Sequence, residues 1–217
     1  MTTASPLATT ETIASVGLDA APSWLSARLR SGEHPDAQRA FDAARETFLA
    51  SRRIDMGALA TSLGVDRTSL FRWVGNRDAL LSEVLWSLAV PTLVQAEHTT
   101  AGTGGGARVA AILTRFVDDL ITADYFRSFL RREPARALRL LTTKESQIQR
   151  RYVATADWLV RRELGETPLG GAIASADLAY LLVRLSESFT YADLISGETP
   201  SSERAQVAFR LMLRIDG

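Results

Sequence analysis

The segment from Ile54 to Leu80, IDMGALATSLGVDRTSLFRWVGNRDAL, constrains the fold of this chain more than any other. Asp55 stands just before the apolar positions Met56, Leu59, Ala60 and Leu63, where its carboxylate can accept from the unpaired N–H groups of a first helical turn. Gly64 supplies the conformation that ends that helix, and Val65 anchors the turn. Asp66 then caps a second helix of roughly eight residues with Leu70 and Val74 on its inner side. Gly75 closes it and Asn76 caps a third, whose apolar stripe is Leu80, Leu81, Val84 and Leu85, with Asp78 near its positive end. Helices this short are unstable alone. The segment Asp36 to Ala50, with Phe41, Ala44, Phe48 and Leu49 at near-helical spacing, is the expected support. The second helix turns Arg67, Thr68, Ser69, Phe71, Arg72 and Trp73 outward, a surface suited to phosphates and base edges.

Caps and spacings of this kind also build helical hairpins that never touch nucleic acid. The register from Met56 to Leu80, however, resembles without gaps the DNA-binding domain of the tetracycline-repressor (TetR) family. Leu59-Ala60 and Gly64-Val65 fall on that family's helix-turn-helix anchors. Leu70-Phe71-Arg72-Trp73-Val74 lies where it has Leu-Tyr-x-His-Phe, and Asn76-Arg77-Asp78-Ala79-Leu80 where it has Ser-Lys-Glu-Ala-Leu. The resemblance implies DNA contacts from Asp55, Arg67, Thr68, Ser69, Phe71, Arg72, Trp73 and Arg77. Two departures alter them. Phe71 lacks the tyrosine hydroxyl that reaches a phosphate, which shifts that role to Arg72 or Arg77. Trp73 replaces a histidine and either donates its indole N–H to a phosphate or packs at the edge of the three-helix core. The connection Ser51-Arg52-Arg53-Ile54 is shorter than the family norm and places two arginines near the DNA side or in solvent.

Between Arg52 and Asp78 there are five arginines and three aspartates, a net of +2 in a chain of net charge zero. One such domain neutralises few phosphates, so useful affinity calls for two copies acting together on a palindromic double-stranded operator. The 217 residues suffice for this. They divide into an N-terminal extension (1–34), a helix-turn-helix domain (35–88) and a larger helical ligand-binding and dimerisation domain (89–217). Residues 1–21, poor in charge and rich in Thr, Ala and Ser, look like a mobile tail. Trp24, Leu25 and Leu29 make an amphipathic turn that also carries Arg28 and Arg30, either an arm for the minor groove or a packed segment. Pro91 is expected to kink or end the fourth helix. The run Ala101 to Gly106 reads as an exposed linker, and it is not a phosphate-binding loop because no strand precedes it and no Gly-Lys-Ser/Thr closes it.

Helical periodicity continues to the C-terminus, and the whole chain is read as all-α. The family resemblance implies a domain that pairs two copies through its last two long helices, here 178–195 and 201–215, and encloses a small-molecule effector. Aromatic rings leave irregular voids, so Phe116, Leu120, Phe126, Phe129, Tyr152, Trp158 and Tyr180 are the candidate lining, with core packing as the alternative for each. Arg184, Ser186, Glu187, Ser188 and Thr190 break an apolar stretch and could fix a carbonyl or hydroxyl of a ligand, face an interface, or face solvent. A nearly uncharged cavity would suit a neutral effector. The run Arg52 to Trp86 also resembles the QsdR branch of the family, which implies a lactone signal, either an acyl-homoserine lactone or a γ-lactone, and a quorum-sensing context.

Cysteine is absent, and the two histidines, His34 and His98, fall in expected loops. No metal, cofactor, disulfide or catalytic group is therefore expected, and an enzyme is disfavoured. The N-terminus lacks a basic start followed by an apolar core, so a cytoplasmic protein without a membrane partner is expected. The arginines at 127, 131, 132, 136 and 139 read as an ion-paired or solvated surface, with Asp118, Asp119, Asp124 and Glu133 as nearby acids. A repressor released by its effector is the leading reading. The alternatives are a dimer whose N-terminal domain binds protein, and a constitutive DNA-binding protein without an effector.

Overall fold

The computed structural model describes residues 12–215, and these form thirteen α-helices and one 3-10 turn, with no strand among the described residues. In chain order the helices are α1 (Ile13–Asp19), α2 (Trp24–Arg30), α3 (Pro35–Leu49), α4 (Met56–Leu63), α5 (Arg67–Val74), α6 (Arg77–Thr99), α7 (Gly105–Thr122), α8 (Asp124–Arg132), α9 (Pro134–Thr142), α10 (Ile148–Leu164), α11 (Ser175–Thr190), α12 (Ala192–Ile195) and α13 (Ser202–Met212). Helices α3, α4 and α5 make a small three-helix unit at the start of α6. Helices α6, α7, α10, α11 and α13 build the larger bundle.

The local signals of the first unit act as their chemistry dictates. The Asp55 carboxylate accepts from the N–H groups of Gly57 and Ala58, and Asp66 accepts from Ser69 N–H at 2.8 Å. Asn76 accepts from Ala79 N–H at 2.9 Å. These bonds hold the carboxyls of Asp55 and Asp66 below the ordinary range, because the folded helix N-termini favour the charged form. Gly64, at φ 69°, ends α4 in the left-handed conformation. Inside the unit Phe48, Leu59, Leu70 and Val74 are buried, whereas Leu49 faces out.

Four expectations need correction. Residues 12–20 are not tail: α1 lies against α6 and α10, Ile13 is fully buried, and Gly17 O accepts from the Trp86 indole N–H at 2.8 Å. The rest of the expected tail, residues 1–11, lies outside the described residues. Second, α6 does not end at Pro91, one of the two outcomes expected there, but runs on to Thr99 and carries His98, expected in a loop, in its last turn. Proline removes one backbone bond, and packing against α1, α7 and α10 holds the remaining turns. Third, α7 begins at Gly105, so the Gly-rich connection is a turn of a few residues. Fourth, the first of the two last helices stops at Thr190, and Tyr191 separates it from α12.

A buried polar cluster ties α2 to the bundle. Arg151, 1% exposed, donates to both oxygens of Glu83 at 3.0 and 3.1 Å and to Ser26 Oγ at 3.1 Å, while Ser23 Oγ donates to Glu83 at 2.6 Å. Each charge is paired and hydrogen-bonded, the condition under which ions can be buried. Helix α6 is long and apolar enough to cross a membrane by length and composition, but 61% of that window is buried within the fold. It is the bundle's core helix.

Candidate nucleic-acid interface and ligand cavity

Two places carry chemistry, and α6 joins them. At the outer end, α5 presents Arg67, Thr68, Phe71 and Arg72 to solvent, with Ser69 partly covered. The Arg67 guanidinium lies over the Phe71 ring at 5.5 Å, so the phenylalanine that lacks a hydroxyl serves as a platform for the adjacent cation. Arg72 reaches Ser69 Oγ at 3.5 Å. Trp73 is half-buried and packs against the core, which favours the packing alternative for it. Asp55 is held by its capping bonds.

Arg77 differs from the other arginines of this unit. Its Nη1 and Nη2 donate to the two oxygens of Glu133, between α8 and α9, at 2.6 and 2.5 Å, and its Nε donates to Ile54 O. It is 13% exposed. Arg77, an expected phosphate contact, is thus engaged in a bidentate bridge between the three-helix unit and the bundle. Next to it, Asp78 pairs with Arg136 and, at 2.7 Å, with Arg139. Burial opposes its charged form, but the bonds from the two arginines outweigh burial and hold the carboxyl low. The bond from Arg77 does the same for Glu133, against a smaller opposing effect of burial. Arg132 Nη1 donates to Ser51 O at 2.7 Å. Of the arginine-rich segment, Arg127, Arg136 and Arg139 are thus ion-paired, mainly with partners far away in sequence, while Arg131 reaches only Ser128 Oγ at 3.5 Å.

At the other place, an apolar cavity lies inside the bundle. Helix α6 contributes Leu85, Trp86, Leu88, Ala89 and Thr92; α7 gives Phe116 and Leu120; α8 gives Tyr125 and Phe126. Leu141, Ile148, Tyr152, Ser186, Glu187, Thr190 and Tyr191 complete the wall. The volume open to the centre of a water molecule is about 50 Å³, well short of the roughly 300–1,000 Å³ of a site that holds a drug-sized ligand. Of the seven candidate lining residues, Phe116, Leu120, Phe126 and Tyr152 are brought together here, with the Phe116 and Tyr152 rings 5.2 Å apart.

The other three are elsewhere. Phe129 packs edge-on against Phe48 of α3 at 5.6 Å and so belongs to the contact with the three-helix unit. Trp158 lies six residues past Tyr152, about 120° around α10, under the Arg162 guanidinium at 4.4 Å. Tyr180 is 48% exposed, two turns before Glu187. Sequence pattern alone missed the α6 wall, whose apolar residues looked like plain core, and it missed Tyr125 and Tyr191.

Most polar hydrogens of the wall are already engaged. Tyr152 O–H bonds to Ser186 Oγ at 3.0 Å, Ser186 Oγ donates to Leu182 O, Thr190 Oγ1 to Ser186 O, and Thr92 Oγ1 to Leu88 O. Glu187 is different. It is 4% exposed, and its Oε2 has no hydrogen-bond partner. Arg184 Nη1 approaches to 2.7 Å, but its hydrogen bond goes to Thr142 O. Burial therefore outweighs the nearby arginine and pushes the Glu187 carboxyl up to about 7. Burial also pushes the hydroxyls of Tyr152 and Tyr191 up.

Residues 104–214 match the sequence model of the tetracyclin repressor-like C-terminal domain. The fold is similar to the solved structure of the R. erythropolis transcriptional repressor QsdR, from the TetR family. The TM-score is 0.75 at 26% identity, over 85% of this chain and 97% of that one. Comparison with curated proteins gives no significant match.

Proposed function

Given that this chain belongs to the TetR family of transcriptional regulators, we propose that it is a repressor that binds a palindromic operator as a homodimer and lets go when a small, largely apolar effector enters its bundle. Members of the family are DNA-binding regulators rather than enzymes; they act as homodimers and bind small-molecule effectors. In this reading residues 35–88 read DNA, residues 89–217 hold the effector and the partner copy, and the protein works in the cytoplasm. Arg67, Thr68, Ser69 and Arg72 supply the α5 contacts, with Arg52 and Arg53 beside them.

One observation carries the proposal: α6 begins at the helix-turn-helix unit and forms a wall of the cavity from Leu85 to Thr92. Arg77 and Thr92 are fifteen residues apart, about 22 Å along one rigid rod. A drug-sized effector needs more room than this cavity offers and must push helices apart to enter, and a shift of α6 is delivered to α4 and α5. The two reading heads of a dimer must stand about 34 to 36 Å apart, one DNA turn, so a small displacement is enough to spoil the match. A ligand favouring the displaced state by about 1 to 3 kcal/mol weakens operator binding roughly 5- to 150-fold.

Dimerisation through α11 and α13 is supported by Tyr180, Leu181, Val207 and Leu211, large apolar side chains exposed on those two packed helices. The resemblance of the run Arg52 to Trp86 to the QsdR branch implies a lactone as effector, either an acyl-homoserine lactone or a γ-lactone, and the apolar wall suits such a molecule. The test is a shift assay with the purified protein and its own upstream DNA, with and without these lactones. Specific binding that is lost on adding lactone is expected. Failure to bind that DNA in preference to random DNA, in the absence of lactone, would sink the proposal.

A further inference from the structure

This inference rests on the effector reading above and assigns the group that recognises the effector's polar end. The geometry points to Glu187 as that group, its unionised carboxyl donating a hydrogen bond to a carbonyl oxygen of the effector.

Three observations lead there. Glu187 lines the cavity and is more than nine-tenths buried, yet Oε2 lacks a hydrogen-bond partner. Its one close polar neighbour is the partly exposed Arg184 guanidinium, an ion-pair contact at 2.7 Å, so a hydrogen bond to a ligand would add to a carboxyl that has none. Next, the polar hydrogens of Tyr152, Ser186, Thr190, Thr92 and Trp86 point to protein acceptors. An effector that only accepts hydrogen bonds, as an ester or lactone carbonyl does, must find its donor among the remaining groups of the wall, the Glu187 carboxyl and the hydroxyls of Tyr125 and Tyr191; both hydroxyls are raised, so only Glu187 can make that donor depend on pH near neutrality. A carboxyl supplies a donor only when protonated. Finally, the surroundings favour that form. The wall is predominantly apolar, and burial has already brought the carboxyl to about 7.

The groups around Glu187 leave it as the one that titrates near neutrality. Arg184 lies beside it on α11, and Tyr152 faces it from α10. Tyr191 follows the helix, while Arg127 of α8 donates to Thr190 O and pairs with Asp193 at 2.6 Å. Both tyrosine hydroxyls are raised, so neither ionises between pH 6 and 8.

The experiment uses the full-length protein and two probes. One is a γ-lactone with a short alkyl tail; the other is the matching 2-alkyltetrahydrofuran, the same ring without the carbonyl. Binding is followed by calorimetry from pH 6 to 8. Lactone affinity should fall about tenfold over that range, as the protonated fraction of a group titrating near 7 falls. The tetrahydrofuran should bind more weakly at pH 6 and show no such fall. Glu187→Gln, which keeps a donor of the same shape, should bind lactone at pH 6 within about threefold of the parent and with a flat pH profile. A flat profile in the parent would overturn the assignment, as would an equal fall for both probes, while leaving the effector reading intact. If the lactone does not bind at pH 6, where the donor is present, both the assignment and the lactone class fall.

Discussion

Arg77 and Glu133 are 56 residues apart in sequence, yet they meet through two parallel N–H···O bonds of 2.6 and 2.5 Å and join the helix-turn-helix unit to the bundle. Both side chains are nearly covered, at 13% and 12% exposed. The pair therefore fastens the first residue of α6 to the junction of α8 and α9. Glu133→Gln should destabilise the protein by about 2 kcal/mol, below the roughly 3–5 kcal/mol of a fully buried pair because both ends touch solvent. In thermal unfolding this is a drop in Tm of about 4–8 °C. An unchanged Tm would mean that the bridge is decorative.

The same pair carries a pH dependence. The Glu133 carboxyl is held below its ordinary value, so it binds fewer protons folded than unfolded. Its contribution is present above the unfolded pKa, about 4.3, and is lost as pH falls through the lower folded value. Urea unfolding from pH 6 down to pH 3 should show parent and Glu133→Gln converging in stability. A gap that stays constant to pH 3 would contradict the assigned charge.

Removing α1 should be costly rather than neutral. Ile13 is fully buried where α1 meets α6 and α10. Ile13→Ala should cost at least about 2 kcal/mol, and a partly detached α1 would also free the Trp86 indole from Gly17 O and shift its fluorescence. A tail would leave both the unfolding curve and the emission unchanged.

What was legible in the sequence was what is settled within a few residues. The caps at Asp55, Asp66 and Asn76 and the inner positions Leu70 and Val74 need only their own helix, and they stand as read. Arg77 could not be read this way. Its type and register suited a phosphate contact, but its partner comes from a helix junction that only the tertiary fold brings near. The cavity shows the same division. Aromatic type singled out Phe116, Phe126 and Tyr152, which the cavity brings together, but also Phe129, Trp158 and Tyr180, which lie outside it, because helical phase and the cavity's end are properties of packing. Glu187 was legible as an interruption in an apolar run. That it is buried, with Oε2 paired to Arg184 but without a hydrogen bond, was not.

The arginines of α5 should differ from Arg77 in a measurable way. Arg67 and Arg72 are exposed. If each meets a phosphate, alanine at either should weaken operator binding and reduce the salt slope by about 0.9 for each phosphate that is no longer neutralised, one in each protomer. Arg77→Ala should instead lower Tm and weaken DNA binding with little change of slope, because its charge is already neutralised by Glu133. Measuring Kd from about 50 to 200 mM salt for the three variants separates these outcomes. Slopes of Arg67→Ala and Arg72→Ala equal to the parent's would place the α5 arginines off the DNA.

The exposed apolar side chains of α13 give the last test. Val207 and Leu211 are 58% and 76% exposed, one turn apart on one side of a helix that packs on α11. Leaving both in water sacrifices about 25 cal/mol for each Å² of apolar surface, which a second copy would recover, and the closed symmetry of a dimer repeats the gain on both subunits. Replacing both with glutamate should leave helix content unchanged by circular dichroism. It should lower the mass measured by light scattering from twice 23.7 kDa to 23.7 kDa and abolish operator binding at nanomolar protein. A variant that remains dimeric would move the interface away from α13.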